Sequence, residues 1–539
     1  MNYDTKFDSE KRIWSNVAPD RLFNPDKSIG GVALHMLRAQ PPNAICQICD
    51  SEETELTYSK AYSYAVSVAA HLKGLGLGCD DVAGIVAYNT TLLMPVIVGC
   101  WVNGVAVNTM HPIYEEDVIR ELFQVTKPKI IFCDGVCYEK VREATKMLNV
   151  PIYTLCNHFD GVKKVEEILL PVEGESMYGA EPLKHGANQT MAILPSSGTT
   201  GVPKLVCNSN HKLLVDFCLS NGSSVIFTFA TAQWNTGISL MVVNILCGGT
   251  RIVTTKSYSP EYFLELIVKY KISMIFSSPV LVGALVDLPQ CTQEALASIR
   301  ILVITGGNAT RSMQKRIRDK LANGYLLNSY GTTEIGAISV NYSQEKAESV
   351  GRINIGSYVK VIDPVSGNLL GPNEKGEIWA RVTGDWMGFY GNAAATAEMI
   401  DADGFINTGD IGYIDDECYM YLVDRSKDIM KYYNFHFSPT EIETTISLLP
   451  DVLDVCVFGV SDGNGMDLAA AAVVLKTGST LTEDDIVKFV AEKNKVKHKQ
   501  LNYGAFIVAE IARNVNSKVM RAEMKQICLN MESSKKRKI

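Results

Sequence analysis

Apolar and polar positions alternate in a repeating rhythm from Asp81 onward. DVAGIVA reads as a buried strand, TLLMPVIVGCWV as an apolar helix, GVAVN as a strand, EEDVIRELFQVT as an amphipathic helix and KPKIIFCDG as a further strand. Strand and helix units in this order predict parallel strands with helices on both faces. The rhythm returns in TRIVTTK, SPEYFLELIVKYK, ISMIFSSPV and IRILVITGG, so the first ~400 residues are expected to hold two related parallel sheets. After Gly351 the pattern changes to short strands broken by turn residues, as in SGNLLGPNEKGEIWARV and DADGFINTGDIGYIDD, which predicts a smaller β-rich lobe. Beyond VDRSKD come PTEIETTISLL, VLDVCVFGV, AAAAVVLK and TEDDIVKFVAEKN, two helices and two strands of a compact α+β unit, ending in a frayed SSKKRKI tail.

The fold class expected is α/β: a large N-terminal domain of parallel doubly wound sheets plus the β-rich lobe, and a small mobile α+β C-terminal domain. The divisions are residues 1–423, a hinge at 424–428, and 429–539. At 539 residues, 47% hydrophobic and 20% charged, the chain has ordinary globular composition. Its formal charge of −8 offers no general attraction for nucleic acid or anionic membrane, so any phosphate binding has to be local. Leu92–Val107 is apolar but interrupted by Pro95 and Asn103, and falls short of the roughly 20 residues of a membrane span. The Met1–Ile13 segment is too charged for a secretory leader, so the 14 cysteines are read as reduced thiols, and the Cys46/Cys49 pair lacks the partners of a zinc site.

Residues 194–206, LPSSGTTGVPKLV, join two β-prone runs. They do not have the GxxxxGK[ST] spacing of a Walker A loop, and no helix pattern follows. Gly198 and Gly201 permit close backbone approach, Ser196, Ser197, Thr199 and Thr200 carry hydroxyls, and Lys204 carries charge. On those residues alone the stretch is either a polyphosphate clamp or a surface hairpin.

The stretch resembles the signature of the adenylate-forming superfamily, which includes acyl-CoA synthetases, 4-coumarate-CoA ligases and firefly luciferases. Further motifs follow in that family's order: Thr305-Gly306-Gly307-Asn308, Ser329-Tyr330-Gly331-Thr332-Thr333-Glu334, Thr408-Gly409-Asp410, Asp424-Arg425-Ser426-Lys427-Asp428 and Asn516-Ser517-Lys518. The similarity runs from about Thr57 to Lys525. It implies ATP, Mg²⁺ and coenzyme A as cofactor and co-substrates. Residues 196–201 and Lys204, Gly306, Gly307, Asn308, Ser329, Gly331 and Thr332 would surround the nucleotide, with Tyr330 stacking on adenine. Thr333, bonding a phosphoryl oxygen, and Lys204 would be catalytic residues, and Glu334 would hold the metal. Asp410 would accept from the ribose hydroxyls, with Arg425 completing those contacts. Lys518 would be a mobile catalytic lysine, Lys427 the hinge, and Lys431 part of the surface used in the thioester step.

Two departures stand out: Leu205 and Asn434 occupy positions where the family commonly has glycine. The acid's pocket is expected around Trp234, in the place of a luciferase histidine, with Ala232, Gln233 and Thr236 nearby. The resemblance implies an ATP-dependent acid-CoA ligase acting on a small fatty or aromatic carboxylic acid. The alternatives are a luciferase-like monooxygenase and a non-catalytic acyl or nucleotide sensor. A cytoplasmic location is expected, because Arg537-Lys538-Ile539 does not resemble a Ser-Lys-Leu-type peroxisomal address.

Overall fold

The computed structural model describes residues 5–17, 23–196, 203–214, 220–307, 309–343, 346–432, 435–462, 466–514 and 518–536. The first expected rhythm becomes a seven-stranded sheet. Its centre is Thr190–Pro195, Ala106–Met110, Val82–Val86, Ile130–Cys133 and Ile152–Thr154, all parallel. Every residue of Val82–Val86 and Ala106–Met110 is buried, as strands covered on both faces must be. The apolar helix Leu93–Val102 is buried all round. The second rhythm becomes a nine-stranded sheet whose central strands, Val225–Phe227, Thr250–Val253, Met274–Ser277, Ile301–Thr305 and the start of Tyr325–Thr332, are also parallel. The α/β expectation with two parallel sheets is met.

The β-rich lobe is a six-stranded antiparallel sheet in which Ser357–Ile362, Gly376–Val382, Ile406–Ile414 and Met420–Arg425 pair in sequence order. Its boundary at Gly351 needs correction, because Lys6–Asp8 and Ile13–Ser15 join its edge across the whole chain. Trp14 explains the pairing: it is fully buried in this lobe's core, so two short N-terminal strands are held by a large apolar anchor.

The C-terminal unit also exceeds its expectation. To the helices Pro439–Ile446 and Glu483–Lys493 and the strands Val452–Ser461 and Asp467–Leu475 the structure adds a parallel strand, Gly504–Ile507, and a helix, Arg521–Lys536. Met524 and Cys528 anchor that helix in the core, so the backbone is helical through most of the stretch read as a frayed tail. The reduced-thiol reading is corrected at one position: Cys247 is disulfide-bonded to a partner outside the described residues, while the other twelve described cysteines are free. Cys46 and Cys49 are buried strand residues.

Candidate active site

A cleft of about 2260 Å³ opens where the second parallel sheet, the β-rich lobe and the C-terminal unit meet. Parallel strands place their carboxyl ends on one edge, where open α/β sheets build sites. Accordingly Ser277, Gly306 and Gly307, at or just past strand ends, line it, as does the Ser329–Glu334 run, which begins where the last strand's parallel pairing ends. Gly306 has φ +81, in the left-handed region, which lets the chain turn sharply after the Ile301–Thr305 strand.

Asp410 comes from the β-rich lobe, directly opposite Arg425 on the neighbouring strand. Cross-strand register therefore makes the pair: Arg425 Nε lies 2.8 Å from Asp410 Oδ1. The Tyr330 hydroxyl donates to Asp410 Oδ2 at 2.6 Å. Two motifs separated by eighty residues thus share one carboxylate. Burial pushes the Asp410 pKa up, opposed by Arg425 and by the Tyr330 hydrogen bond. Tyr330 packs with Trp14, Ile338 and Ile406 while keeping an edge on the cleft, so its ring is both a core element and a wall.

Lys518 reaches the same cleft from the C-terminal unit. The Asn514 and Lys518 backbones close on each other, Asn514 N donating to Lys518 O at 2.9 Å, and the Asn514 side chain accepts from Lys518 N. Burial and then Arg425 push the ammonium pKa down, while Asp410 and Glu334 pull it up. The lysine therefore sits in the electrostatic field of the groups that the sequence assigns to nucleotide and metal.

Lys212 was not singled out by the sequence. Its ammonium donates to the carbonyls of Thr333 at 2.6 Å and Glu334 at 3.0 Å. Burial lowers its pKa to about 7 against the pull of Glu334, and the side chain is one of those lining the cleft. A single lysine in NHKLL carries no pattern, so only the tertiary fold identifies it. His111, another cleft residue, was equally silent in the sequence.

Other expected residues are distributed unevenly. Ser196, Thr332, Thr333, Glu334, Trp234, Thr236 and Lys427 line the cleft. Gln233 faces the other way: it is buried, its Oε1 accepts from the His111 backbone amide at 2.7 Å, and it is not on the cleft wall. Lys204 is exposed, with Nζ 4.8 Å from the Phe389 ring centroid, while its backbone brackets Ser196. Lys431 stands on the Met430–Tyr432 ribbon, exposed, its backbone N–H bonded to Asp467. Burial, with Arg425, lowers the Lys427 pKa. Ser197, Gly198, Thr199, Thr200, Gly201, Asn308, Asn434, Asn516 and Ser517 lie outside the described residues.

Residues 36–390 match the AMP-binding enzyme family, and residues 441–518 match the AMP-binding enzyme C-terminal domain. The chain belongs to the AMP-binding enzyme family. Within the adenylate-forming superfamily it falls in the acyl-CoA synthetase branch. This AMP-binding enzyme is 28% identical to 4-coumarate–CoA ligase 3 of Oryza sativa subsp. japonica, over 89% of this chain and 88% of the relative. It is 25% identical to peroxisomal OPC-8:0-CoA ligase 1 of Arabidopsis thaliana, over 88% of each. Its fold matches ATP-bound MatB from Rhodopseudomonas palustris with a TM-score of 0.83 at 21% identity, covering 92% of this chain and 98% of that one. The luciferase-like enzyme of the nonluminescent Zophobas morio mealworm matches with a TM-score of 0.69 at 26% identity, covering 76% and 98%. Among the described residues of the AMP-binding enzyme no helix is long and apolar enough to cross a membrane.

Proposed function

We propose that the chain is an ATP-dependent acid–CoA ligase, an acid–thiol ligase that forms a carbon–sulfur bond in two steps at this cleft. The observation that carries the reading is the convergence of Tyr330, Asp410 and Arg425 from the large domain with Lys518 from the C-terminal unit. Asp410 keeps lone pairs for the two ribose hydroxyls, because its present partners use one direction on each oxygen. Glu334 supplies one carboxylate at the phosphate end. A single carboxylate whose remaining ligands would be phosphate oxygens suits Mg²⁺, which keeps a shell of substrate and water oxygens. When bound, that ion would neutralise phosphate charge.

In the first step a carboxylate oxygen of the acid forms a bond to the α-phosphorus, and the bond from that phosphorus to the bridging oxygen of pyrophosphate breaks. Lys518 offsets the charge of two approaching anions, and Thr333 donates to a phosphoryl oxygen. In the second step the CoA thiolate attacks the acyl carbon, and the acyl carbon–oxygen bond to AMP breaks. The C-terminal unit, residues 429–539, turns about the 424–428 hinge between the steps, taking Lys518 away and bringing Lys431 toward the cleft. The 196–204 loop with Lys204, and Gly306 through Asn308, cradle the nucleotide; Trp234 and Thr236 border the acid.

A pyrophosphate-release screen across short, medium, long-chain and aromatic acids, with and without CoA, tests this. Acid-dependent release followed by thioester formation is expected. Nucleotide binding without release would favour a sensor, and light emission with luciferin and O₂ would favour the oxidative alternative. The cytoplasmic placement is tested separately with a tagged chain in intact cells; import into peroxisomes contradicts it.

A further inference from the structure

His111 follows the Ala106–Met110 strand, and both its ring and its backbone are held in place. The Ile113 backbone amide donates to Nδ1 at 3.1 Å. Tyr88 packs edge-on at 5.1 Å between ring centroids. The His111 backbone amide is tied to Gln233, next to Trp234. An imidazole whose Nδ1 accepts from an amide, if neutral, carries its proton on Nε2. Burial, helped by the nearby Lys140 ammonium, keeps this ring neutral at neutral pH, with its pKa lowered to about 4. Among the described residues Nε2 bonds no protein group, and the side chain lines the cleft. An N–H donor is therefore fixed on the cleft wall without an acceptor.

Strand register decides what that donor faces. The Ala106–Met110 and Thr190–Pro195 strands are parallel, with Ala192 opposite Val107 and Ile193 opposite Asn108. The Asn108 side chain locks the alignment by donating to Ile193 O at 3.0 Å. Continuing the register by three residues puts His111 level with Ser196, where the 196–204 loop begins. Both sit at carboxyl ends of parallel strands, and both line the cleft.

We propose that His111 positions the nucleotide, its Nε2–H donating to a phosphate oxygen of ATP beside Ser196. The inference rests on the ligase reading only in requiring that the cleft binds ATP. A neutral donor suits this place: it meets an anion when one arrives, yet leaves no buried cation to be compensated when none is there.

The test is calorimetric titration of MgATP and of adenosine into the parent, His111→Phe and His111→Gln, with melting temperatures measured in parallel. Phenylalanine keeps the contact with Tyr88 but has no donor; glutamine restores an N–H. His111→Phe should weaken MgATP by about tenfold to a hundredfold, as loss of one hydrogen bond to a charged group does. Adenosine affinity and melting temperature should stay near the parent's, and His111→Gln should recover most of the MgATP affinity. Equal losses for MgATP and adenosine, unchanged MgATP affinity, or a lowered melting temperature without rescue by glutamine would each overturn the proposal. So would a rise in the KM for the acid with MgATP binding intact, which would move the contact to the carboxylate. A parent that binds MgATP but releases no pyrophosphate with any acid defeats the ligase reading while leaving His111 decided by the titration.

Discussion

Asp410 illustrates how one side chain acquires its properties from three parts of the chain. Its own strand buries it, Arg425 supplies the counter-charge and Tyr330 supplies a hydrogen bond. Asp410→Ala should weaken ATP by the loss of charged hydrogen bonds, about 1.5–3 kcal/mol each, while leaving the acid's KM little changed. Equilibrium binding of ATP to the variant measures the first effect and steady-state kinetics the second. The pH dependence has a definite sign. Burial raises the Asp410 pKa, and only the ionised carboxylate accepts from both ribose hydroxyls. ATP affinity should therefore fall as pH is lowered, starting at a higher pH than a solvated aspartate would give. Asp410→Asn should bind weakly at every pH and lose that fall.

The Asn235–Cys247 helix shows how an element can subordinate its own stability to a site. Its N-cap is Trp234, a residue type that caps poorly, and no side-chain bond is made there. The entry is held instead by backbone bonds: Trp234 N donates to Thr231 O, and Ile238 N to Trp234 O. Gly237 fits under this turn because a Cβ would meet the Thr231 carbonyl oxygen at 2.0 Å. With nothing to gain as a cap, the indole earns its place by facing the cleft. Trp234→Ala should reorder the ranking of acids by kcat/KM more than it changes ATP affinity, since the ring lines the part of the cleft proposed for the acid and no capping bond is lost. Loss of ATP binding with the ranking intact would make Trp234 a structural residue.

At the scale of the molecule, two separately cored bodies line one cleft. The C-terminal unit has its own apolar clusters around Ile442, Val457 and Ile486 and around Phe458, Phe506 and Met524. Polar contacts anchor its start: Ser438 and Thr440 donate to Asp424, and Arg521 pairs with Glu443 and lies 3.7 Å from Asp428. The proposed rotation of this body would leave its own apolar clusters intact. Lys518→Ala should lower acid-dependent pyrophosphate exchange by about 10²–10³-fold, the usual loss of one preorganised electrostatic donor. Supplied acyl-adenylate and CoA should still give thioester at nearly the parental rate. Lys427→Pro, a rigid substitution within the Ser426–Asp428 turn, should do the converse and damage thioester formation more than adenylation. Equal loss of both half-reactions in a folded Lys518→Ala variant would contradict the rotation.

Local pattern was enough to determine the parallel sheets, because a strand buried on both faces is written in its own residues: DVAGIVA and GVAVN declare themselves without their neighbours. The order of motifs was likewise readable, since each Gly, Asp or Lys assigned to the nucleotide by resemblance sits in a short, contiguous motif. Tertiary structure alone decided the rest. Trp14 joins a sheet some 340 residues away, Gln233 turns inward while its neighbour Trp234 faces the cleft, and Gly504–Ile507 finds its parallel partner in Asp467–Leu475. Lys212 and His111 became visible only when folding brought one beneath the Thr333–Glu334 carbonyls and the other level with Ser196. The physical reason is common to all of these. Periodicity records whether a residue is buried, but the partner that makes a buried or half-buried polar group useful comes from distant chain, and distance along the sequence carries no signal of proximity in space.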